Sequence, residues 1–430
     1  MRVGLLSTTV GRLLVTVGAG LVFLTLLLAP TASAEPLPPP PDHPQRIVES
    51  LSEAVEVAPG VTHRDITTTT AAGHVMGDVV EVDLTTPGVR ADLLTPGAVA
   101  ARAGVKAMAD GTGAVAGING DFFDIGRTSA AAGPAVQNGR FLKAAVPQGR
   151  RAAPAVPGAE MDYVFAVGTD GVARVDRLPL RGEVRRTGIE RVSYQGPRSE
   201  QVAEQDALPI VALNQFAVPV NGIGVFTSDW GDADRARTLC GSDTDRDAPC
   251  AADQVEVVVR GGAVTAVRAP GAGRLPAEET ALVGREQGAV ALRGLKVGDR
   301  VSVDYALVPA SGVAPRMAVG GSPILRDGAP TERLDDSARA PRSGAGVTAD
   351  GHRMLLVTVD GRQSDSVGAT LLQFSNLLRE LGLDDAVNLD GGGSSTLAYR
   401  DAGAPATTIV NDPSDPSPRL VSNGIGVYAG

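Results

Sequence analysis

The sequence predicts a mixed α+β fold with a β-rich sheet core, few helices and an all-β insertion. Short apolar runs recur between clusters of Gly, Pro and Asp, a pattern that is typical of strands. Ala, Gly and Val dominate the composition, whereas aromatic residues make up only 3% of the chain. The runs predicted as strands are Val79–Val82, Val115–Ile118, Val164–Val167, Val255–Val259, Val301–Leu307, Met354–Val359, Val387–Leu389 and Gly424–Val427.

Two segments have the helical spacing of apolar residues. One lies near Val99–Met108. The other runs from about Val367 to Leu381, where leucines and one phenylalanine form an apolar stripe. Gly382 stands directly after this stripe, where a glycine commonly ends a helix.

The second helix is flanked by two of the predicted strands, residues 354–359 and 387–390. A strand, a helix and a strand in this order form a β-α-β unit, which predicts that both strands lie parallel in one sheet. Each strand leads into an aspartate, Asp360 or Asp390. Because ligands bind at the carboxyl ends of such strands, both carboxylates are expected at one edge of the sheet.

Residues 1–34 have the features of a cleavable export signal. The apolar run Leu13–Leu28 is shorter than the roughly 20 residues that span a bilayer. Small residues at Ala32–Ala34 match the pattern before a cleavage point. Cleavage predicts a secreted or cell-envelope protein with no stable membrane span, and an uncleaved anchor is the alternative.

The remaining chain divides by composition. Residues 35–72 are predicted as a Pro-rich linker and N-terminal extension, since Pro-rich chain is extended and solvated. Residues 73–150 and 315–430 are predicted as two parts of one domain, which carries the motifs described below. Residues 151–314 differ in sequence pattern, since they combine strand-like runs with polar turns. They are predicted as a β-rich insertion or accessory region.

The formal net charge is −10, and loss of Arg2 and Arg12 with the signal makes it more negative. Nucleic-acid-binding proteins depend on basic patches, so the charge argues against nucleic acid as a partner. The composition, poor in aromatic residues and rich in Ala and Arg, suggests a bacterial protein.

Two cysteines are present, Cys240 and Cys250, and outside the cytosol such a close pair predicts a disulfide. The loop between them carries Asp243, Asp245 and Asp247. This spacing resembles the start of a calcium loop, but the glycine and the distal glutamate of an EF-hand are missing. The sequence requires no cofactor, a divalent cation such as calcium is possible, and the metal ligands are unknown.

The strongest local signal is Asp390 followed by Gly391, Gly392 and Gly393. Glycines allow a ligand to approach the main chain closely. A short strand that ends in a carboxylate beside such a turn suits the binding of a polar, anionic substrate. A tight turn without a ligand is the alternative.

Six ordered motifs resemble the phosphodiester glycosidase family, and together they are more specific than any one alone. The family usually has Thr at the position of Ser343 and often Gly at that of Asp121, and both differences concern substrate detail. The motifs are Asn-Gly-x-Phe-Phe at 119–123, Gly-Gly-x-Pro at 320–323, Pro-Arg at 341–342, Asp-Gly-Arg at 360–362, Asn-Leu-Asp-Gly-Gly-Gly-Ser at 388–394 and Ser-Asn-Gly at 422–424.

The resemblance implies hydrolysis of a sugar-1-phosphodiester, in a small molecule or a polymeric phosphoglycan. Cleavage at the anomeric carbon passes through an oxocarbenium-like transition state, which a nearby carboxylate stabilises or attacks. The candidate carboxylates are Asp360, Asp390 and Asp121. Each has a structural alternative, since aspartates also cap turns and helices.

The departing phosphate needs cations and N–H donors more than a strong acid. Arg342 and Arg362 are candidate phosphate clamps, because a guanidinium meets phosphate with two parallel hydrogen bonds. The alternative for either arginine is that it pairs with a structural carboxylate or faces solvent. The other candidates are Asn119 for sugar hydroxyls, the amides of Gly391, Gly392 and Gly393, the hydroxyls of Ser394 and Ser395, and Asn411 and Arg419 from a Pro-rich loop.

Other classes of protein fit less well. A serine hydrolase would carry Gly-x-Ser-x-Gly, which is absent. A two-metal phosphodiesterase commonly combines several His and Asp, but the chain has four histidines and no His-His pair, which argues against such a site, and a carboxylate metal site stays open. No Gly-Lys-Ser/Thr follows the glycines, which argues against a nucleotide site. A non-catalytic protein that binds glycan or cell wall is the alternative to an enzyme.

Overall fold

The computed structural model describes residues 48–150, 159–187 and 207–430. These residues lie within one compact unit, Arg46–Gly430. The predicted export signal and the proline run that follows it lie outside the described residues. No helix in the described part is long and apolar enough to cross a membrane.

The described residues form mainly strands, which are numbered in chain order. Up to residue 150 they are β1 (Ser50–Leu51), β2 (Val55–Ala58), β3 (Val61–Thr70), β4 (Gly73–Asp83), β5 (Arg90–Leu94), β6 (Ala116–Asn119), β7 (Ala135–Gln137) and β8 (Arg140–Lys143). The middle stretch has β9 (Tyr163–Gly168), β10 (Ala173–Arg177), β11 (Leu180–Arg186), β12 (Leu208–Pro209), β13 (Ala212–Leu213), β14 (Ile223–Phe226), β15 (Gln254–Arg260), β16 (Ala263–Arg268), β17 (Glu279–Arg285) and β18 (Val301–Leu307).

The C-terminal part adds nine strands and a short 3₁₀ turn at Gly392–Ser394. The strands are β19 (Pro315–Gly320), β20 (Ser322–Arg326), β21 (Ala329–Pro330), β22 (Arg342–Val347), β23 (Arg353–Val359), β24 (Asp385–Asn388), β25 (Leu397–Tyr399), β26 (Thr408–Ile409) and β27 (Gly424–Tyr428). Every run predicted as a strand overlaps one of these elements, and the β-rich α+β class is confirmed.

The described residues contain three α-helices, which are α1 (Val105–Thr112), α2 (Gln287–Arg293) and α3 (Leu371–Glu380). The prediction of a helix from Val99 was wrong at its start. Val99 lies in a turn, where its amide donates to Asp229 O, and Ala103 pairs with Val421, so α1 begins only after Gly104, its N-cap.

Helix α3 is the helix predicted from about Val367 to Leu381. Its N-terminus is fixed by a capping box, in which Thr370 accepts from the amide of Gln373 and the Gln373 side chain bonds back to Thr370. Gly382 follows its end with φ +89°, a left-handed conformation that favours glycine.

Sheet A has nine strands in the order β1-β3-β4-β23-β22-β24-β20-β21, with β2 also paired to β3. Residues 48–72, which the sequence predicts as part of the Pro-rich linker and N-terminal extension, thus contribute three strands to this sheet. The central strand β22 pairs antiparallel with β23 on one side and with β24 on the other. Strands β23 and β24 are therefore parallel, as the β-α-β pattern predicts, but β22 lies between them.

Sheet A is covered on both faces. Sheet B, with five strands in the order β26-β25-β6-β27-β5, packs on one face. Val80, Leu356 and Val387 of sheet A share a core there with Ile118 and Ile425 of sheet B. Helix α3 covers the other face and contributes Phe374, Leu377 and Leu378 to a separate core. This alternation follows from the side-chain period of two along each strand.

The middle stretch is not all β, because α2 lies within it. Three further sheets have the orders β10-β9-β19-β7-β8, β13-β14-β17-β15-β16 and β12-β11-β18. The first combines strands from the middle stretch with strands from both flanking parts. Cys240 and Cys250 form the predicted disulfide.

Candidate active site

Asp360 follows β23 at the edge of sheet A. Its amide donates to Met76 O at 2.9 Å, and the residue is 6% exposed. Its Oδ1 accepts from Asn411 Nδ2 at 3.3 Å and from the Asp412 amide at 3.1 Å. Burial raises the pKa of Asp360 to about 7; the Asp78 carboxylate adds to the rise, and the two hydrogen bonds oppose it.

Asp390 leaves the parallel strand β24 at the same edge. Its amide donates to Gly120 O at 2.8 Å. Protein atoms surround the carboxyl, although part of the residue is open to solvent. Burial raises the pKa of Asp390 to about 7, a hydrogen bond from Ser394 and the charge of Arg419 lower it, and Asp121 raises it. Two carboxyls at one edge therefore change charge near neutral pH.

Asn119 lies beneath Asp390 and is fully buried. Its Nδ2 donates to Asp390 O at 2.6 Å, and its Oδ1 accepts from Ser343 Oγ at 2.7 Å and the Thr396 amide at 3.1 Å. The side chain predicted to hold sugar hydroxyls is thus committed to joining β6, β22 and the Asp390 turn.

Each glycine of the turn meets a different steric need. A Cβ at Gly391 would lie 2.7 Å from Pro341 O, and one at Gly393 would lie 2.2 Å from Asp415 Oδ2. Gly392 has φ +60°, which favours glycine. Its amide donates to Pro341 O, and the Gly391 amide bonds the Asp390 carboxyl, so two of the three predicted amide donors are already used.

Arg362 is the arginine best placed to receive an anion. It is exposed, and its Nη1 would lie 3.1 Å from a Cβ at Gly392. Its side chain makes no ion pair or hydrogen bond with the described residues. The guanidinium therefore stands over the partly exposed backbone of the glycine turn with its donors available.

Arg342, the other predicted phosphate clamp, points to the face of sheet A that α3 covers. It is 5% exposed, its Nε donates to Ala369 O at 2.9 Å and its Nη2 to Ala338 O at 2.8 Å. Burial lowers the pKa of Arg342 to about 10, with Arg362 adding to the fall and Asp335 opposing it. In this structure Arg342 holds the loop before α3 and does not face the glycine turn.

Arg419 and Ser394 form a chain of polar contacts to Asp390. Arg419 Nη2 bonds Asp415 Oδ2 at 2.7 Å, and its Nη1 donates to Ser394 Oγ at 3.4 Å. Ser394 in turn bonds the Asp390 carboxyl. The neighbouring Ser395 is also buried, and its Oγ has no hydrogen-bond partner within the described ranges.

Asn411 joins the two halves of the site. Its Nδ2 donates to Asp360 Oδ1 and, at 3.2 Å, to Ser395 O, while its Oδ1 accepts from the Leu397 amide at 2.7 Å. The loop that carries Asn411 is thereby tied to both the Asp360 end of β23 and the end of the glycine turn.

Sequence reasoning missed three buried polar residues beside these carboxyls. His63 Nε2 and Asp78 Oδ1 are 2.9 Å apart, and the His63 ring contacts Tyr399. Lys143 lies near Asp121. In the sequence, each of them is marked only as a charged or polar residue inside an apolar strand pattern. That pattern does not reveal which distant residue each one contacts.

Two groups of side chains in the described part of the chain bring ligand atoms close enough to share a metal ion. They are His63, Asp65 and Asp78, and Asp327, Asp384 and Asp385. In the disulfide loop, Asp243 accepts from the Val220 amide at 2.9 Å and Asp247 pairs with Arg127. A calcium ion in that loop stays a prediction.

Two solved structures share the fold of this chain. A protein from Synechocystis has a TM-score of 0.65 and 22% identity, over 86% of this chain and 62% of the other. A protein from Burkholderia pseudomallei K96243, described as exported, has a TM-score of 0.65 and 20% identity, over 89% of this chain and 97% of the other. The chain thus spans 62% of the length of the Synechocystis protein. At these identities the likeness concerns the fold alone.

The catalytic domain of zebrafish N-acetylglucosamine-1-phosphodiester alpha-N-acetylglucosaminidase, auto-inhibited by its pro-peptide, matches with a TM-score of 0.43 and 15% identity. The match covers 87% of this chain and 85% of that domain. No curated protein matches the chain. The family described as phosphodiester glycosidase matches residues 253–428. The resemblance predicted from the motifs is therefore confirmed by the match over residues 253–428.

Proposed function

We propose that the protein is an exported hydrolase that cleaves the bond between the anomeric carbon of a sugar and the phosphate of a sugar-1-phosphodiester. One observation carries the proposal. Asp360 and Asp390, each with a pKa of about 7, stand at one edge of sheet A, where the free guanidinium of Arg362 covers a bare glycine turn. The family match of residues 253–428 supports the reaction class.

The two carboxyls suit acid and base chemistry at the anomeric carbon. Near neutral pH they hold about one proton between them, so that one carboxylate and one carboxylic acid are available together. The ionised group stabilises the positive charge that develops on the sugar or activates the nucleophile, and the protonated group supplies a proton.

Arg362 is the proposed ligand of the phosphate. Its donors are available, and it lies beside Gly392, which has no side chain and is partly exposed, so a phosphate oxygen can approach the guanidinium. A cation at this point stabilises the charge that builds up on the departing phosphate. Arg419 acts one step further away, through Ser394 and the Asp390 carboxyl.

Asn119, Asn411 and Arg342 are proposed to position the site without touching the substrate. Asn119 fixes the main chain of Asp390, and Asn411 donates to the Asp360 carboxylate. Arg342 is committed to two carbonyls on the face covered by α3. Their contacts support this positioning role. Each of the three side chains already uses, in hydrogen bonds within the protein, the donors that a sugar or phosphate would need.

We further propose that the substrate is met outside the cytosol, as a small molecule or as part of a phosphoglycan polymer. The export signal predicted in residues 1–34, the Cys240–Cys250 disulfide and the fold shared with a protein described as exported support this location. The negative net charge argues against nucleic acid as the substrate.

The test is an assay of the mature protein with a series of sugar-α-1-phosphodiesters and aryl analogues, in which released reducing sugar is measured. We expect turnover that falls by about 10²–10⁴-fold in Asp390→Asn and in Asp360→Asn. The matched control is Asp401→Asn, an exposed aspartate outside the site, which should leave turnover unchanged. Saturable binding without release of sugar would instead identify a glycan-binding protein.

A further inference from the structure

Lys143, the last residue of β8, is buried in a way that is rare for lysine. It is 1% exposed, and it donates to Ala144 O at 2.7 Å, to Ala132 O at 3.3 Å and to Gly133 O. Three carbonyl acceptors match the three protons of an ammonium group. Burial lowers the pKa of Lys143 to about 7, and the charge of Asp121 opposes the fall.

Asp121 is the carboxylate that faces Lys143, and it is also buried, with 3% exposure. Its Oδ2 accepts from the Gly133 amide, and its own amide donates to Asn423 Oδ1 at 2.9 Å. A Cβ at Gly320 would lie 2.4 Å from Oδ2, so the carboxylate packs directly against the main chain of Gly320. There is little room for the side chain to move.

Lys143 and Asp121 form hydrogen bonds with the two main-chain polar groups of Gly133. The Gly133 carbonyl accepts from the ammonium, and the Gly133 amide donates to the carboxylate. In the Ala132–Gly133 peptide unit, the Ala132 carbonyl accepts from the ammonium at 3.3 Å and the Gly133 amide donates to the carboxylate, and a peptide unit polarised in this way transmits the attraction between the two charges. An unpaired charge of either sign would be costly at this depth, so each residue accounts for the burial of the other.

We propose that Lys143 is a positioning residue of the active site, which holds Asp121 ionised and immobile beside Asp390. The proposal rests on the proposed function only in taking Asp390 as a reacting carboxyl. The charges of Asp121 and Arg419 act on the pKa of the Asp390 carboxyl, and the charge of Asp121 acts on that of the Lys143 ammonium. Lys143 thus acts on Asp390 through Asp121.

The arrangement has a direct consequence for the proton on Asp390. Two carboxylates close together cannot both ionise easily unless a positive charge compensates them. With Lys143 charged, its positive charge compensates the two carboxyls, and Asp390 loses its proton near neutral pH. Without Lys143, the pair should keep that proton to higher pH.

The test follows the carboxyl directly and needs no turnover. Infrared spectra of the protein are recorded against pH, and the carboxylic C=O band that Asp390→Asn removes is assigned to Asp390. We expect Lys143→Met to move the midpoint of this band up by about one pH unit. Lys296→Met, which removes an exposed lysine, is the control and should leave the midpoint unchanged.

Asp121 must carry the effect. Asp121→Asn alone should move the midpoint down, and Lys143→Met should shift it by less than half as much when Asp121 is already Asn. A Lys143→Met midpoint equal to that of the wild type overturns the proposal, and so does a shift of equal size with and without Asp121.

A second measurement covers the case in which Lys143→Met does not fold. In an Asp390→Asn background, Asp121→Asn leaves Lys143 unpaired, which costs stability only while the ammonium is protonated. Urea unfolding should therefore show a larger loss of stability at pH 6 than at pH 9. An equal loss at both pH values overturns the proposal. Because neither measurement involves a substrate, the outcome is separate from the fate of the proposed function.

Discussion

Asp360 and Asp390 leave sheet A at the same edge, with the start of one antiparallel strand between them. Two strand spacings of about 4.8 Å separate β23 from β24, so the two main chains are about 10 Å apart. Pro341 fills the gap: a Cβ at Gly361 would lie 3.0 Å from its N, and a Cβ at Gly391 would lie 2.7 Å from its O. The Pro-Arg, Asp-Gly-Arg and triple-glycine motifs are thus parts of one packed edge.

The first prediction concerns the pH dependence of stability. The pKa of Asp360 is about 7 in the folded protein, against an ordinary value of 3.8. The folded state therefore binds this proton more tightly than the unfolded state, and stability falls as the pH rises from about 4 to about 7. Asp360→Asn removes this loss. Relative to wild type, we expect the free energy of unfolding of this variant to be higher at pH 8 than at pH 4, by on the order of 2 kcal/mol.

Urea unfolding at the two pH values measures this difference. The exposed Asp401→Asn serves as its control and should show the same free energy difference from wild type at both pH values. A pH-independent difference for Asp360→Asn would mean that its carboxyl ionises as an ordinary aspartate.

The second prediction separates the two arginines of the motifs. Arg362→Gln removes a free guanidinium over the glycine turn and should weaken phosphodiester binding, which raises KM by about 10-fold or more. Arg342→Gln removes two buried hydrogen bonds and should instead lower the free energy of unfolding by about 1–3 kcal/mol. Steady-state kinetics and urea unfolding of both variants check the contrast. The assignment is wrong if Arg342→Gln is the variant that raises KM at unchanged stability.

The third prediction concerns the glycine turn. A methyl group at Gly393 would lie 2.2 Å from Asp415 Oδ2 and 2.3 Å from Arg419 Nη2. Gly393→Ala should therefore break the Asp415–Arg419 pair and disturb Ser394, with a loss of kcat/KM of about 10-fold or more. Gly111→Ala, on α1, is the matched control because a Cβ there meets nothing within 4 Å. Wild-type kinetics for Gly393→Ala would show that the pair is dispensable.

The strands were predictable because each carries its own signal. Runs such as Met354–Val359 are apolar and bounded by turn residues, and α3 has both an apolar stripe and a terminal glycine. Strand β22 was not predictable, since Ser343–Gly346 is rich in glycine and resembles a loop. Its glycines are needed because a Cβ at Gly344 would lie 2.9 Å from the Phe374 ring.

The site was only partly predictable from the sequence. The pattern of strands and helix brings Asp360 and Asp390 to one edge, but it does not decide which way each arginine points. Arg342 lies within β22, where the alternation of side chains turns it toward α3. Lys143 and Asp121 are distant in sequence, and only the packing of Gly133 and Gly320 brings their charges together. Such pairings depend on tertiary contacts that no local pattern encodes.

The proposed reaction breaks the C1–O bond of a sugar-1-phosphodiester, assisted by carboxyls at the anomeric carbon. Hydrolysis in ¹⁸O-labelled water, followed by mass spectrometry of both products, shows which bond breaks. We expect the label to enter the sugar at C1 and the phosphate product to carry none. Label in the phosphate would show cleavage of a P–O bond and would overturn the proposed reaction.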